Sequence, residues 1–275
     1  MSDNLFQPSP AAPSFVAIGD SFTEGLNDTG DLAGPAGSAG YRGWADRLAA
    51  LLAAEYPDLR YANLAVRGRL LREIVADQVP AAAAMSPGLV SIAGGGNDIL
   101  RPGADPDTLA ELFDAAVARL QATGGRVLLF TGFDPVGFPV LRLLRGRIAA
   151  YNMHLRAIAD ARDCYLVDLW SMRFLRDPGS WSPDRIHLSA ESHRRVALRA
   201  AEVLGVPVAE DWRVPEAAVS EVSRPVWLTA RREDARWAKE YLAPWINRRL
   251  RGISSGDGLS AKRPVLEAMT PPVAT

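Results

Sequence analysis

The chain of 275 residues contains one cysteine, Cys164, and three histidines, His154, His187 and His193. A lone thiol excludes an intramolecular disulfide framework, and so few imidazoles leave little from which to build a Cys/His zinc site, so no metal is expected. Lysine is confined to Lys239 and Lys262, yet 31 basic residues face 32 acidic ones, a formal net charge of -1. That balance sets up no global field to draw the chain onto nucleic acid or an anionic membrane, and the arginines are scattered, so no nucleic-acid partner is expected. No run reaches the roughly 18 to 20 apolar residues of a membrane-spanning helix, so no span is expected either. The first fifteen residues carry Pro8, Pro10 and Pro13 and lack a basic start followed by an apolar stretch. They do not read as a secretory signal, and a cytoplasmic location is the default expectation.

What is present is an ordinary globular balance, 48% hydrophobic and 23% charged residues, enough to build a core. Short apolar runs alternate with helical patterns along most of the chain. Phe15 to Ile18 precedes a Gly-rich loop and a helical pattern over Trp44 to Tyr56. Tyr61 to Val66 precedes a helix from about Leu70, Leu89 to Ala93 a helix over Pro106 to Ala122, and Val127 to Phe130 a helix over Arg142 to Ala161. Cys164 to Leu169 leads to a last helix, for which Ser189 is the expected N-cap. Strands of four to six residues separated by helices of ten or more predict an α/β fold, a parallel sheet covered on both faces.

The character changes after about Pro207. Thr229 to Arg251 has the pattern of an amphipathic helix with Trp237, Tyr241 and Trp245 spaced four apart, suited to packing on the domain, to a lid or to a homo-oligomer contact. The expected organisation is a flexible stretch over 1–13, a main domain over 14–205, a C-terminal helical extension over 206–251 and a disordered tail over 252–275. Gly, Ser and Pro dominate that tail, and its deletion from Gly252 is expected to leave activity intact. Gly252-Ile253-Ser254-Ser255-Gly256 matches a nucleophile-elbow pattern, but no histidine follows it, so the match is chance.

Ligands of an open parallel sheet bind beyond the carboxyl ends of the strands, so the residues after each apolar run are the ones to inspect. These are Gly19-Asp20-Ser21, then Asn63 to Gly68, then Gly94-Gly95-Gly96-Asn97-Asp98, and finally Asp184 and His187, three positions apart. A serine hydroxyl needs a general base, usually an imidazole oriented by a carboxylate, and His187 with Asp184 supplies that pair for Ser21. The backbone N–H groups of Ser21 and Gly68 and the Asn97 amide are candidate donors to an oxyanion. His154 and His193 are expected on the surface, and Cys164 in the core.

These blocks, in this order, resemble the SGNH hydrolase (GDSL esterase/lipase) superfamily over roughly residues 14 to 205. The resemblance implies a flavodoxin-like three-layer α/β/α sandwich of about five parallel strands. It also implies Ser21 as nucleophile, His187 as base and then acid, Asp184 as its partner, and Ser21, Gly68 and Asn97 around the oxyanion. Asp20 and Asp98 are then expected to hold loop geometry. No cofactor is implied.

The resemblance implies a small-molecule ester as substrate. A carboxylesterase or lipase-type activity, a carbohydrate O-acetylesterase and a non-catalytic interaction protein on the same fold all stay open. Leu26 to Tyr41 and Phe133 to Leu144 are the expected walls of the site, with Phe138 the candidate acyl or aryl contact and Trp44 and Trp181 the candidate sugar contacts.

Overall fold

The computed structural model of the chain describes residues 13–29, 40–216 and 254–269. Strand β1 (Ser14–Ile18) is buried along its whole length, as an apolar strand must be when helices cover both faces of its sheet. Its side chains alternate between two apolar clusters, Phe15 and Ala17 in one, Val16 and Ile18 in the other. Strands β3 (Leu89–Ile92) and β4 (Arg126–Phe130) divide in the same way, with Leu89, Leu128 and Phe130 on the first face and Val90, Ile92, Val127 and Leu129 on the second.

Helices α2 (Gly43–Glu55) and α8 (Ala190–Val203) cover the first face through Trp44, Leu48, Val196 and Ala200. Helices α6 (Pro106–Gln121) and α7 (Arg145–Ala161) cover the second through Phe113, Val117, Leu155 and Ile158. Ser189 caps α8 as expected, its side chain accepting from Ser192 N at 3.2 Å. With β2 (Arg60–Asn63) and β5 (Tyr165–Val167), the five expected strands run parallel. The shorter helices α1 (Ser21–Glu24), α3 (Leu71–Glu73), α4 (Val79–Ala84) and α5 (Gly96–Ile99) lie after the strands that carry the motif blocks.

The tail departs from its expected disorder. Residues Arg263–Ala268 form β6, which pairs antiparallel with β2 and completes a six-stranded sheet of order β5-β4-β3-β1-β2-β6. Composition misled because β6 has little apolar alternation of its own; its pairing rests on the backbone groups that β2 exposes at the sheet edge. Pro264 is tolerated there because an edge strand leaves one row of N–H positions unused. A single buried cation also ties the segment down. Lys262 Nζ lies 3.0 Å from Asp46 Oδ1 and donates to the carbonyls of Tyr41 and Arg42. The amphipathic pattern over 229–251, and with it the expected oligomer contact, lies outside the described residues. Among the described residues no helix is long and apolar enough to cross a membrane.

Candidate active site

Ser21 follows the central strand directly. The backbone of Gly19 is clamped by a reciprocal pair of hydrogen bonds with the Gln78 side chain, Gly19 N donating to Oε1 at 2.8 Å and Nε2 donating to Gly19 O at 2.9 Å. Gln78 ends a π-helical turn, Ile74–Gln78, that joins α3 to α4, and such turns re-aim side chains out of the α-helical register. Asp20 then caps α1, its Oδ1 accepting from Phe22 N at 3.0 Å, which sets Ser21 on the first turn of that helix. The sequence signal for Ser21 was a strand end; the short helix that presents it was not anticipated.

The loop from Trp181 to Leu188 delivers the other two residues. An isolated bridge joins Trp181 to Leu188, and Ser182 N donates to His187 O at 2.8 Å, so the loop is closed before α8 begins. His187 Nδ1 lies 2.7 Å from Asp184 Oδ2 and Nε2 lies 3.0 Å from Ser21 Oγ. The carboxylate accepts only, so Nδ1 carries the hydrogen and Nε2 is left to accept from the serine hydroxyl. Asp184 Oδ1 accepts from Ser182 Oγ at 2.6 Å, Ile186 N at 2.9 Å and His187 N at 3.0 Å, and Oδ2 also accepts from Asn27 Nδ2 at 2.7 Å. Burial works against the charge on Asp184, but the His187 hydrogen bond and charge, with these other donors, hold its carboxyl well below the usual range. Asn27 and Ser182 had no signal in the sequence; only the tertiary structure brings them to Asp184.

The oxyanion candidates divide. Asn97, on α5, lines the same cavity as Ser21 and His187, and its Nδ2 donates to Asp20 Oδ2 at 3.0 Å and to Arg69 O at 3.1 Å. Both amide hydrogens are thus engaged, and service to an oxyanion requires one of them to exchange partners. Gly68 lies on the loop after β2 with φ +74, a conformation that favours glycine, and a side chain there would collide with Ser254 Oγ. It is not part of the cavity wall. Its loop is fastened to α1 by Glu24, which accepts from Arg67 N at 2.8 Å and pairs with the Arg67 guanidinium. Asp98 accepts from Leu71 N at 2.9 Å, and with Asp20 it serves the loop role expected of it.

Beside Ser21 the cavity opens to about 580 Å³, a size in the range of small-molecule sites, with walls that are mostly aliphatic and aromatic. Phe138 lines it and is 5% exposed. Its ring packs 5.7 Å from that of Phe133 and 5.4 Å from that of Trp181, centroid to centroid. Ile148 and Leu155 of α7 and Phe130 at the end of β4 extend the apolar lining. Trp44, in contrast, is completely buried in the core and offers no ring face to a ligand.

One histidine is misjudged from sequence. His193, expected on the surface, is 1% exposed, and its Nδ1 accepts from Trp44 N at 3.2 Å. It shares a helix face with Val196, Ala197 and Ala200, so the three-to-four spacing placed it inward, and burial pushes its imidazole pKa down to about 3. His154 is on the surface, 2.7 Å from Asp107. Cys164 is only partly buried just before β5, and burial pushes its thiol up to about 11. Among the described residues no group of three or more His, Cys, Asp or Glu side chains could hold a metal ion.

The comparisons with known proteins agree with this fold. Among solved structures, the chain is similar to LAE5, an alpha/beta hydrolase enzyme from the metagenome of Lake Arreo, Spain, at 26% identity and a TM-score of 0.60, covering 71% of this chain and 97% of that one. It is similar to TesA at 26% identity and a TM-score of 0.57, covering 70% and 97%. The acetylxylan esterase Axe2 of Geobacillus stearothermophilus shares the fold at 22% identity and a TM-score of 0.58, covering 74% and 97%. None of the curated proteins is significantly similar in sequence. The family model of the GDSL-like lipases and acylhydrolases matches residues 17–195, which include the Ser21 and His187 blocks, and the chain therefore belongs to the GDSL-like lipase/acylhydrolase family of ester hydrolases.

Proposed function

We infer that the protein is a serine carboxylesterase for esters with an apolar acyl group. The observation that carries this reading is the hydrogen-bonded series Ser21, His187, Asp184, at 3.0 and 2.7 Å, opening on an apolar cavity. Ser21 Oγ attacks the ester carbonyl while its proton passes to His187 Nε2; the proposed donors to the oxyanion are the Ser21 N–H and the Asn97 amide, once one of its hydrogens leaves Asp20 or Arg69 O, and Gly68 N–H joins them only if its loop closes toward the cavity. Collapse of the intermediate breaks the bond to the alcohol oxygen, which takes the proton from His187 and departs. Water, deprotonated by His187, then releases the acid from acyl-Ser21 and returns the proton to the serine. No step calls on a metal or an organic cofactor.

The alternative, a carbohydrate O-acetylesterase, draws on the Axe2 likeness, but at 22% identity that likeness is one of fold. Of the two candidate sugar contacts, Trp181 lines the cavity whereas Trp44 is buried in the core, and the hydrophobic walls favour an acyl chain over a sugar. A non-catalytic role fits poorly with an aligned Ser21 and His187.

The test is hydrolysis of p-nitrophenyl esters from acetate to decanoate, beside acetylated xylo-oligosaccharides, with wild type and Ser21→Ala. A preference for chains longer than acetate that vanishes with Ser21→Ala supports the reading. Turnover of the sugar acetate alone would favour the alternative, and full activity of Ser21→Ala would remove the nucleophile assignment.

A further inference from the structure

Asn27 and Asp184 are 157 positions apart in the sequence, yet Asn27 Nδ2 lies 2.7 Å from Asp184 Oδ2 and 3.0 Å from Ser182 Oγ. The carboxylate oxygen that Asn27 touches is the one that receives His187 Nδ1–H. Ser182 Oγ, its other contact, is itself bonded to Asp184 Oδ1. One amide thus holds a carboxylate oxygen directly and steadies the hydroxyl on the opposite oxygen.

The backbone that carries Asn27 is prepared for this. Asn27 has φ 71, a left-handed conformation that glycine enters at no steric cost and that asparagine tolerates better than most residues. On one side Gly25 closes α1. On the other, Asp28 is fully buried, and its carboxylate takes Gly43 N at 3.0 Å and the Arg47 guanidinium at 2.9 and 3.1 Å. The turn is therefore held by its neighbours, and the Asn27 side chain is not needed to close it; glycine would satisfy the same turn.

We propose that Asn27 is a positioning residue for the ester hydrolysis inferred above, holding the Asp184 carboxylate in the orientation in which it receives His187 Nδ1–H. The inference rests on the Ser21, His187, Asp184 reading and extends it to a fourth residue. A carboxylate fixed on both oxygens cannot rotate away from the imidazole during turnover, and the tautomer that leaves Nε2 free to accept from Ser21 is maintained. Among the described residues, the other charged or titratable groups that line the cavity with His187 are Arg185 in the same loop, Asp20, Tyr151 on α7 and His193 on α8, and none of them is changed by substitution at position 27.

The experiment compares wild type, Asn27→Gly, Asn27→Asp and Ser21→Ala on the preferred p-nitrophenyl ester, recording kcat, KM, the pH profile of kcat/KM and the thermal unfolding midpoint. Asn27→Gly keeps the left-handed turn and removes the donor; kcat is expected to fall by about 10- to 100-fold with little change in KM, the scale of a misoriented catalytic group. With Oδ2 released from Asn27, the Asp184–His187 pair changes and the acid limb of the profile moves from its wild-type position. Asn27→Asp keeps the shape but sets a carboxylate against Asp184, and is expected to lose more than Asn27→Gly at pH 8. The proposal is overturned if Ser21→Ala is inactive while both Asn27 variants keep wild-type kcat and an unmoved acid limb. It is equally overturned if the loss tracks a lower unfolding midpoint with the acid limb in place, which is the mark of a purely structural residue. Activity in Ser21→Ala would instead overturn the underlying triad reading.

Discussion

Lys262 Nζ sits 3.0 Å from Asp46 Oδ1 with both side chains almost withdrawn from solvent, 9% and 8% exposed. Asp46 also accepts from Tyr61 OH at 2.7 Å, so the pair fastens the C-terminal segment to α2 and to its neighbouring strand β2 together. Burial lowers the Lys262 pKa, and the Asp46 charge and hydrogen bond oppose that shift. The same segment runs past Gly68, where Ser254 and Ser255 approach the loop that carries a proposed oxyanion donor.

Removing one member of a buried pair leaves the other charge unsatisfied, at a cost of about 3–5 kcal/mol. Lys262→Met is therefore expected to lower stability on that scale, and deletion of the chain from Gly252 to lower it further and reduce activity, contrary to what composition suggested. Urea unfolding of the two variants checks this. An unchanged midpoint in both would mean that the Lys262 contact contributes nothing.

His193 links stability to pH. Its folded pKa, down to about 3, lies below the ordinary value near 6.5, so between those limits the unfolded chain binds a proton that the folded chain does not. Its contribution is complete above about pH 6.5 and is lost as pH falls, at about 1.4 kcal/mol per unit until the folded pKa is reached. Unfolding free energies of wild type and His193→Gln between pH 4 and 7 should diverge in slope, the wild type being the steeper. Parallel slopes would refute the assignment.

Phe138 forms one wall of the cavity with Phe133 and Trp181. Phe138→Ala widens that wall and removes hydrocarbon contact, and kcat/KM for the preferred acyl chain is expected to fall by about 10-fold while the optimum moves to a bulkier chain. A chain-length series run on both proteins decides it, and an unaltered preference would take Phe138 out of the acyl site.

Much of the architecture was legible in the sequence. Alternation at Phe15, Val16, Ala17 and Ile18 follows from the two-residue period of a strand, and the five parallel strands follow from runs too short for helices separated by helices too long for hairpins. Ser21 and His187 stood out as candidates through local sequence, because each lies in a recognisable block of adjacent residues. His193 was legible in principle, since its spacing from Val196, Ala197 and Ala200 is that of a buried helix face.

Other features could not be read one segment at a time. β6 is stabilised by an edge that β2 offers, and Lys262 by a carboxylate on α2, so neither advertises itself in its own neighbourhood. Gln78 reaches Gly19 because a π turn rotates it there, and Asn27 reaches Asp184 because the turn after α1 meets the loop before α8. Hydrophobic period and motif order are properties of adjacent residues and so determined the fold class and pointed to the candidate groups. The partners that orient those groups are set by long-range packing, because a hydrogen bond between residues 157 positions apart exists only once the chain has folded.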